Sequence, residues 1–234
     1  MALPKLNAAP KYEVVVPSTG QQVRYRPYLV KEEKILMLAM ESQDQRQALS
    51  AIVDTIGSCV QDDINTSELT TFDVEYLFTQ IRSKSVGESA KIMINCQHCE
   101  TENEVAINLD NIKVGNPEGL ETKIELTESI TLQMRWPTYN EIINFDSEQN
   151  QTDLTFKMIA ACIDTVMTEE EAIKMKDEPE ADRMEFIESL SSAQFNEIRL
   201  YVEKMPKMEH QVHFECTDCK KGNDITLSGI SDFF

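Results

Sequence analysis

The chain has 234 residues, of which 41% are apolar, 27% charged and 7% aromatic, a globular composition that excludes a disordered or fibrous chain. A net charge of -19, from 22 basic and 41 acidic side chains, argues against a surface for nucleic acid or an anionic membrane, because phosphate affinity comes from Lys and Arg. Seven glycines are present, and the closest pair, Gly115 and Gly119, sits in a turn-like Gly-Asn-Pro-Glu-Gly, so no phosphate cradle is formed.

In chain order, one pattern occurs twice. Tyr12–Val16, the turn Pro17-Ser-Thr-Gly20 and a run ending at Arg26-Pro27 predict a β-hairpin. Lys123–Leu126, a polar turn and Ile130–Trp136 repeat it at a shift of 110, with Pro137 matching Pro27. A helix-like apolar run, Leu29–Met40, follows the first hairpin; its second-half counterpart, Glu141–Phe145, is shorter and less apolar. Leu49, Ile52, Val53, Ile56, Cys59 and Val60 then make an amphipathic helical stripe. At the same shift, Ile159, Cys162, Ile163 and Val166 predict a second such helix, with Cys162 in the place of Ile52. Thr70 with Asp73, and Ser191 with Gln194, have capping-box spacing. Val74, Leu77, Phe78 and Ile81 form the core face of the first capped helix; Phe195, Ile198 and Val202 repeat it. Ile92, Ile94, Cys96, Cys99, Val105 and Ile107 recur as Val212, Phe214, Cys216, Cys219, Ile225 and Leu227, each shifted by 120.

The expected fold is therefore α+β: two similar modules from an internal duplication, each a β-hairpin, helices and a C-terminal Cys-bearing hairpin. The modules are expected at 1–110 and 111–234, with a linker near Asn111–Leu120 and an exposed acidic insertion at about 168–183, around Glu169-Glu-Glu171 and Lys176-Asp-Glu-Pro-Glu180.

No apolar run approaches the ~20 residues of a membrane span, and the first seven residues hold no apolar signal core, so the protein is expected in the cytosol. Six Cys in such a chain are core thiols or metal ligands rather than a disulfide scaffold. Cys96-Gln-His-Cys99 and Cys216-Thr-Asp-Cys219 sit where one strand turns into another. Cys at i and i+3 of a turn point both sulfurs one way, and two such knuckles complete a tetrahedral, zinc-ribbon-like structural zinc site. The 116 residues between the pairs exceed ordinary ribbon spacing, a difficulty that duplication removes. Free buried thiols or a redox pair are the alternatives. His98 could replace a Cys as ligand or face solvent; His213 fits a strand face, and Cys59 and Cys162 fit helical cores. A closed four-sulfur site stabilises and does not catalyse. No His-Glu-x-x-His, Gly-x-Ser-x-Gly or Gly-Lys-Ser/Thr motif is present, so no enzyme and no small-molecule substrate are expected. Tyr25, Tyr28, Leu29, Met37 and Met40 are candidate partner-binding residues; the competing reading places the Met pair in the core.

Pro4-Lys-Leu-Asn, Tyr12-Glu-Val-Val-Val-Pro-Ser-Thr-Gly20 and Tyr25-Arg-Pro-Tyr-Leu-Val-Lys-Glu-Glu-Lys-Ile-Leu36 resemble the baseplate hub assembly proteins, or baseplate chaperones, of T-even-type tailed bacteriophages. The resemblance is strongest over the first 60 residues. It implies a non-enzymatic chaperone or minor hub component in contractile-tail morphogenesis, with other baseplate hub and tail proteins as partners. It also implies work in the host cytoplasm during tail assembly or in the virion baseplate. A zinc-ribbon protein-binding adaptor, for example in transcription regulation, is the alternative, and an enzyme using a different metal site is a third.

Overall fold

A computed structural model describes residues 10–42, 44–115, 121–145 and 150–229. Pro4–Asn7 and the second half of the expected linker, 116–120, which includes Gly119, lie outside these residues. In chain order the elements are β1 (Tyr12–Val15), β2 (Gln22–Tyr25), α1 (Val30–Glu41), α2 (Gln45–Cys59), α3 (Thr71–Val86), β3 (Ser89–Asn95), β4 (Glu102–Asn108) and β5 (Lys113–Val114). There follow β6 (Lys123–Glu125), β7 (Thr131–Met134), α4 (Tyr139–Ile143), α5 (Gln151–Ala161), β8 (Ile163–Met167) and β9 (Ala172–Lys174). The last four are α6 (Glu180–Glu188), α7 (Ser192–Glu203), β10 (Met208–Glu215) and β11 (Gly222–Ser228). The fold is mixed α+β.

Two compact units arise: 1–115 together with 207–234, and 116–206. The expected division into 1–110 and 111–234 differs from this in two respects. The second Cys hairpin, β10–β11, packs with the first unit, because its apolar face shares a core with the first Cys hairpin. Ile92, Ile94 and Ile107 pack there with Val212, Leu227 and Met208. The expected linker also starts too early. Ile112 is 1% exposed in that same core, and Lys113 and Val114 pair with Glu209 and Met208 as a third strand.

In the first unit, β1 and β2 pair antiparallel with Val14 opposite Val23, and Gly20 supplies the positive φ of their turn. α2 presents the expected stripe, with Ile52, Ile56 and Cys59 buried. α3 starts at a capping box: the Asp73 backbone N–H donates to Thr70 Oγ1, and the Thr70 N–H donates to the Asp73 carboxylate. Its Val74, Leu77, Phe78 and Ile81 are buried.

In the second unit, β6-β7-β8-β9 form one antiparallel sheet. The expected helix through Val166 is corrected here. α5 ends at Ala161, Cys162 caps it, and Ile163–Met167 is a strand paired to β7. β-Branched Ile163, Thr165 and Val166 suit a pleated, half-buried surface better than a helix. Cys162 therefore stands at the end of a helix, as Cys59 does, and not within one as Ile52 does. The acidic insertion is more than an exposed loop: it supplies β9 and buries Met175 (4% exposed), while Glu169–Glu171 remain exposed at the β8–β9 turn. Ser191 and Gln194 cap α7 as the spacing predicts, and Ile198 joins Leu132, Ile159, Ile163 and Ile187 in this unit's core.

Candidate metal centre

The two Cys hairpins turn in the same way. The Cys96 N–H donates to Thr101 O at 2.9 Å and the Glu100 N–H to Cys96 O at 3.0 Å; the Cys216 N–H donates to Lys221 O at 3.0 Å and the Lys220 N–H to Cys216 O at 3.2 Å. Each reversal needs one left-handed residue, and Glu100 (φ 61°) and Lys220 (φ 59°) supply it. Such a turn carries both Cys side chains to one side. Because the hairpins share a core, the pairs meet: all four Sγ atoms lie within 4.8 Å of one another. Cys96 and Cys219 sulfurs are 3.7 Å apart, and Cys99 and Cys216 sulfurs 3.6 Å.

A tetrahedral Zn–S bond of about 2.3 Å places sulfurs about 3.8 Å apart, so the spacing fits the ion. A disulfide needs a sulfur separation of about 2.0 Å, and all six cysteines are free thiols. Cys96 and Cys216 are buried, while Cys99 and Cys219 are half-buried. Burial opposes ionisation of Cys96, but backbone N–H groups of His98 and Cys99 outweigh it and draw the thiol down to about 6. The N–H groups of Cys219 and Asp218 lower Cys216 likewise. Cys219 gains from the Lys221 N–H, yet burial and the other sulfurs hold it up at about 12. Four thiolates crowded together repel; a dication among them removes that restraint.

Two residues at this centre escape the Cys spacing. Asn103 and Asn223 are buried, at 2% and 1% exposure, and each reaches across to the opposite knuckle. The signal for them is an identical offset: both pairs read Cys-x-x-Cys-x-x-x-Asn. His98 is exposed, its ring near Gly222 O at 3.2 Å, and is outside the sulfur cluster. His213 faces outward from β10 beside Asp224.

Each unit also holds one cysteine outside the cluster, Cys59 in the first and Cys162 in the second. Cys59 and Cys162 are fully buried, as helical cores predict, and burial pushes their thiols up to about 11 and about 12. The backbone N–H of Arg26 donates to Cys59 O at 3.1 Å, and that of Arg135 to Cys162 O at 2.8 Å. Arg26 pairs with Glu32 at 2.8 Å, and Arg135 with Glu141 at 2.8 Å. Each glutamate also accepts the backbone N–H three residues before it, Leu29 or Thr138. The shared Arg-x5-Glu spacing is a signal the apolar stripes do not carry.

The candidate partner residues separate. Tyr25 is corrected: it is 2% exposed, packed beside Tyr12, with its hydroxyl 3.4 Å from Gln80 O. Alternation along β2 turns Val23 and Tyr25 inward together. Tyr28 is half-buried and held by Ser85. Leu29, Met37 and Met40 are exposed, at 44%, 59% and 53%.

The fold and site thus define a mixed α+β protein organised in one unit around four clustered cysteines able to hold a metal ion. The model of the T4 bacteriophage base plate protein family matches residues 9–234, and the chain belongs to that family. Membership makes it a baseplate protein whose partners are other baseplate proteins. Neither a curated relative nor a solved structure matches the chain. Among the described residues, no helix is long and apolar enough to cross a membrane.

Proposed function

We propose that this chain is a non-enzymatic assembly factor of the baseplate hub, a chaperone or minor hub component in contractile-tail morphogenesis. One structural zinc is held by Cys96, Cys99, Cys216 and Cys219. The observation that carries this reading is the closed sulfur set: four thiols in mutual contact leave no position for water or a substrate, so a metal there staples hairpins together.

Contact with hub partners runs through α1 and the Leu29 that precedes it. Ten large apolar side chains are well exposed among the described residues, and six lie between Leu29 and Met40. Within α1 only Glu32 and Leu36 are buried. Charge supports the same assignment. Residues 1–60 carry seven basic and six acidic side chains, whereas residues 61–234 carry 15 and 35. A neutral apolar face on an acidic body suits docking without like-charge repulsion. An internal duplication is supported by the two Arg–Glu–Cys settings and the two knuckles, although the helices between them differ in length.

Quantitative mass spectrometry of hub subassemblies and finished particles tests the reading, together with elemental analysis. The chain is expected in hub subassemblies, carrying one zinc. Its absence from every tail intermediate, or recovery with RNA polymerase instead, overturns the assignment.

A further inference from the structure

We propose that Asn103 and Asn223 are positioning residues of the metal centre, each clasping the opposite knuckle so that the four sulfurs stand in ligating geometry before a metal arrives. The inference rests on the zinc reading of the same site. Asn103 leaves the first hairpin and accepts the Thr217 backbone N–H at 2.8 Å and the Thr217 hydroxyl at 2.9 Å, both in the second knuckle. Asn223 returns the contact, accepting the Gln97 backbone N–H at 2.8 Å in the first knuckle. Each amide then turns its NH2 group back to its own hairpin, Asn103 to Thr101 O at 2.7 Å and Asn223 to Lys221 O at 3.1 Å. The same NH2 groups face the first cysteine of the opposite pair: Asn103 Nδ2 lies 3.7 Å from Cys216 Sγ, and Asn223 donates to Cys96.

Only an amide of this length does all of this. A carboxylate accepts but cannot donate to a carbonyl or a thiolate, and a hydroxyl side chain is too short to bridge two hairpins. A residue that merely held its own turn would need only the local carbonyl bond. These two also bridge residues 114 and 126 positions away in sequence. The N–H donors beside Cys216 and Cys96 offset negative charge on sulfur, as groups around metal ligands commonly do.

The test uses the full-length protein, with zinc and cobalt(II) as probes. Wild type is expected to take one cobalt with the intense thiolate-to-metal absorption of a four-sulfur site. Asn103→Ala and Asn223→Ala should still load, with zinc affinity lower by about 10- to 100-fold, faster release to a chelator and shifted cobalt bands. Asn103→Asp and Asn223→Asp keep size and acceptor but replace the donor with a negative charge beside the sulfurs, and should also shift the cobalt bands. Variants that fold only when zinc is added also support the role. Folded variants with wild-type zinc affinity and an unshifted cobalt spectrum overturn it, as do variants that stay unfolded in saturating zinc. Wild type that binds neither metal overturns the zinc reading itself, and the positioning role with it.

Discussion

Glu32 shows how a single buried acid is made tolerable. Burial works against its charge, but hydrogen bonds from Arg26, the Leu29 backbone and Lys31 prevail and hold the carboxyl down at about 2. A carboxyl depressed in the folded state stabilises above its unfolded pKa and loses that contribution as pH falls toward the folded value. Glu32→Gln is therefore expected to cost about 2 kcal/mol at neutral pH. The gap from wild type should close between about pH 4.5 and pH 2; chemical denaturation across that range measures it. The thiols give a second residue-scale expectation. With zinc bound, a thiol reagent at neutral pH should find no fast-reacting cysteine. Chelation should release four, while Cys59 and Cys162 react only on unfolding, since burial keeps both protonated. Six thiols reacting at once after chelation would contradict this. The clustering of Cys96, Cys99, Cys216 and Cys219 was legible from spacing alone. Asn103 and Asn223 were not, because an Asn four residues past a Cys pair carries meaning only once the opposite knuckle is in place.

At the scale of elements, periodicity located α2, α3 and α7 and the capping boxes, since these features depend on neighbours three and four residues away. It failed at β8, where an apolar spacing compatible with a helix is taken by a strand. The sheet partner β7, some thirty residues earlier, decides the outcome there, and no local pattern reports it. α1 is the reverse case. Its run of apolar residues fits a core or a docking face equally well, and only the packing of Leu36 inward and Met37 and Met40 outward distinguishes them. Met37→Glu with Met40→Glu should leave folding almost unchanged, within about 0.5 kcal/mol for each exposed site. It should abolish recovery of hub proteins in a pull-down. Leu36→Ala should instead cost about 2 to 5 kcal/mol. Unfolding of the double variant would place the Met pair inside a core after all; normal binding by it would remove α1 as the contact.

At the scale of the whole molecule, the described residues include a core around Ile107, Ile112 and Met208 and a separate one around Leu132, Ile159 and Ile198. Chelation should therefore act unevenly. Hydrogen exchange is expected to accelerate in β3, β4, β10 and β11, whose shared core a bound metal would brace, and to stay slow in β7 and α7. Uniform acceleration in all six elements would contradict this. The repeated patterns suggest modules at 1–110 and 111–234, but the division into compact units does not follow them. Sequence repeats mark where similar pieces begin and end, whereas compact units follow whichever apolar faces meet.

Because residues 207–234 return to the unit begun by residues 1–115, the four-cysteine cluster joins parts made at different times. Between Cys99 and Cys216 lie 116 residues. At about 5–20 residues per second on the ribosome, the second knuckle emerges roughly 6 to 23 seconds after the first. During that interval Cys96 and Cys99 have no partner pair, and the apolar face of β3–β4 waits uncovered while the whole of residues 116–206 is synthesised. If the site takes a metal, capture is thus a late event in the life of the nascent chain, and a product that stops short of Cys219 lacks the fourth sulfur.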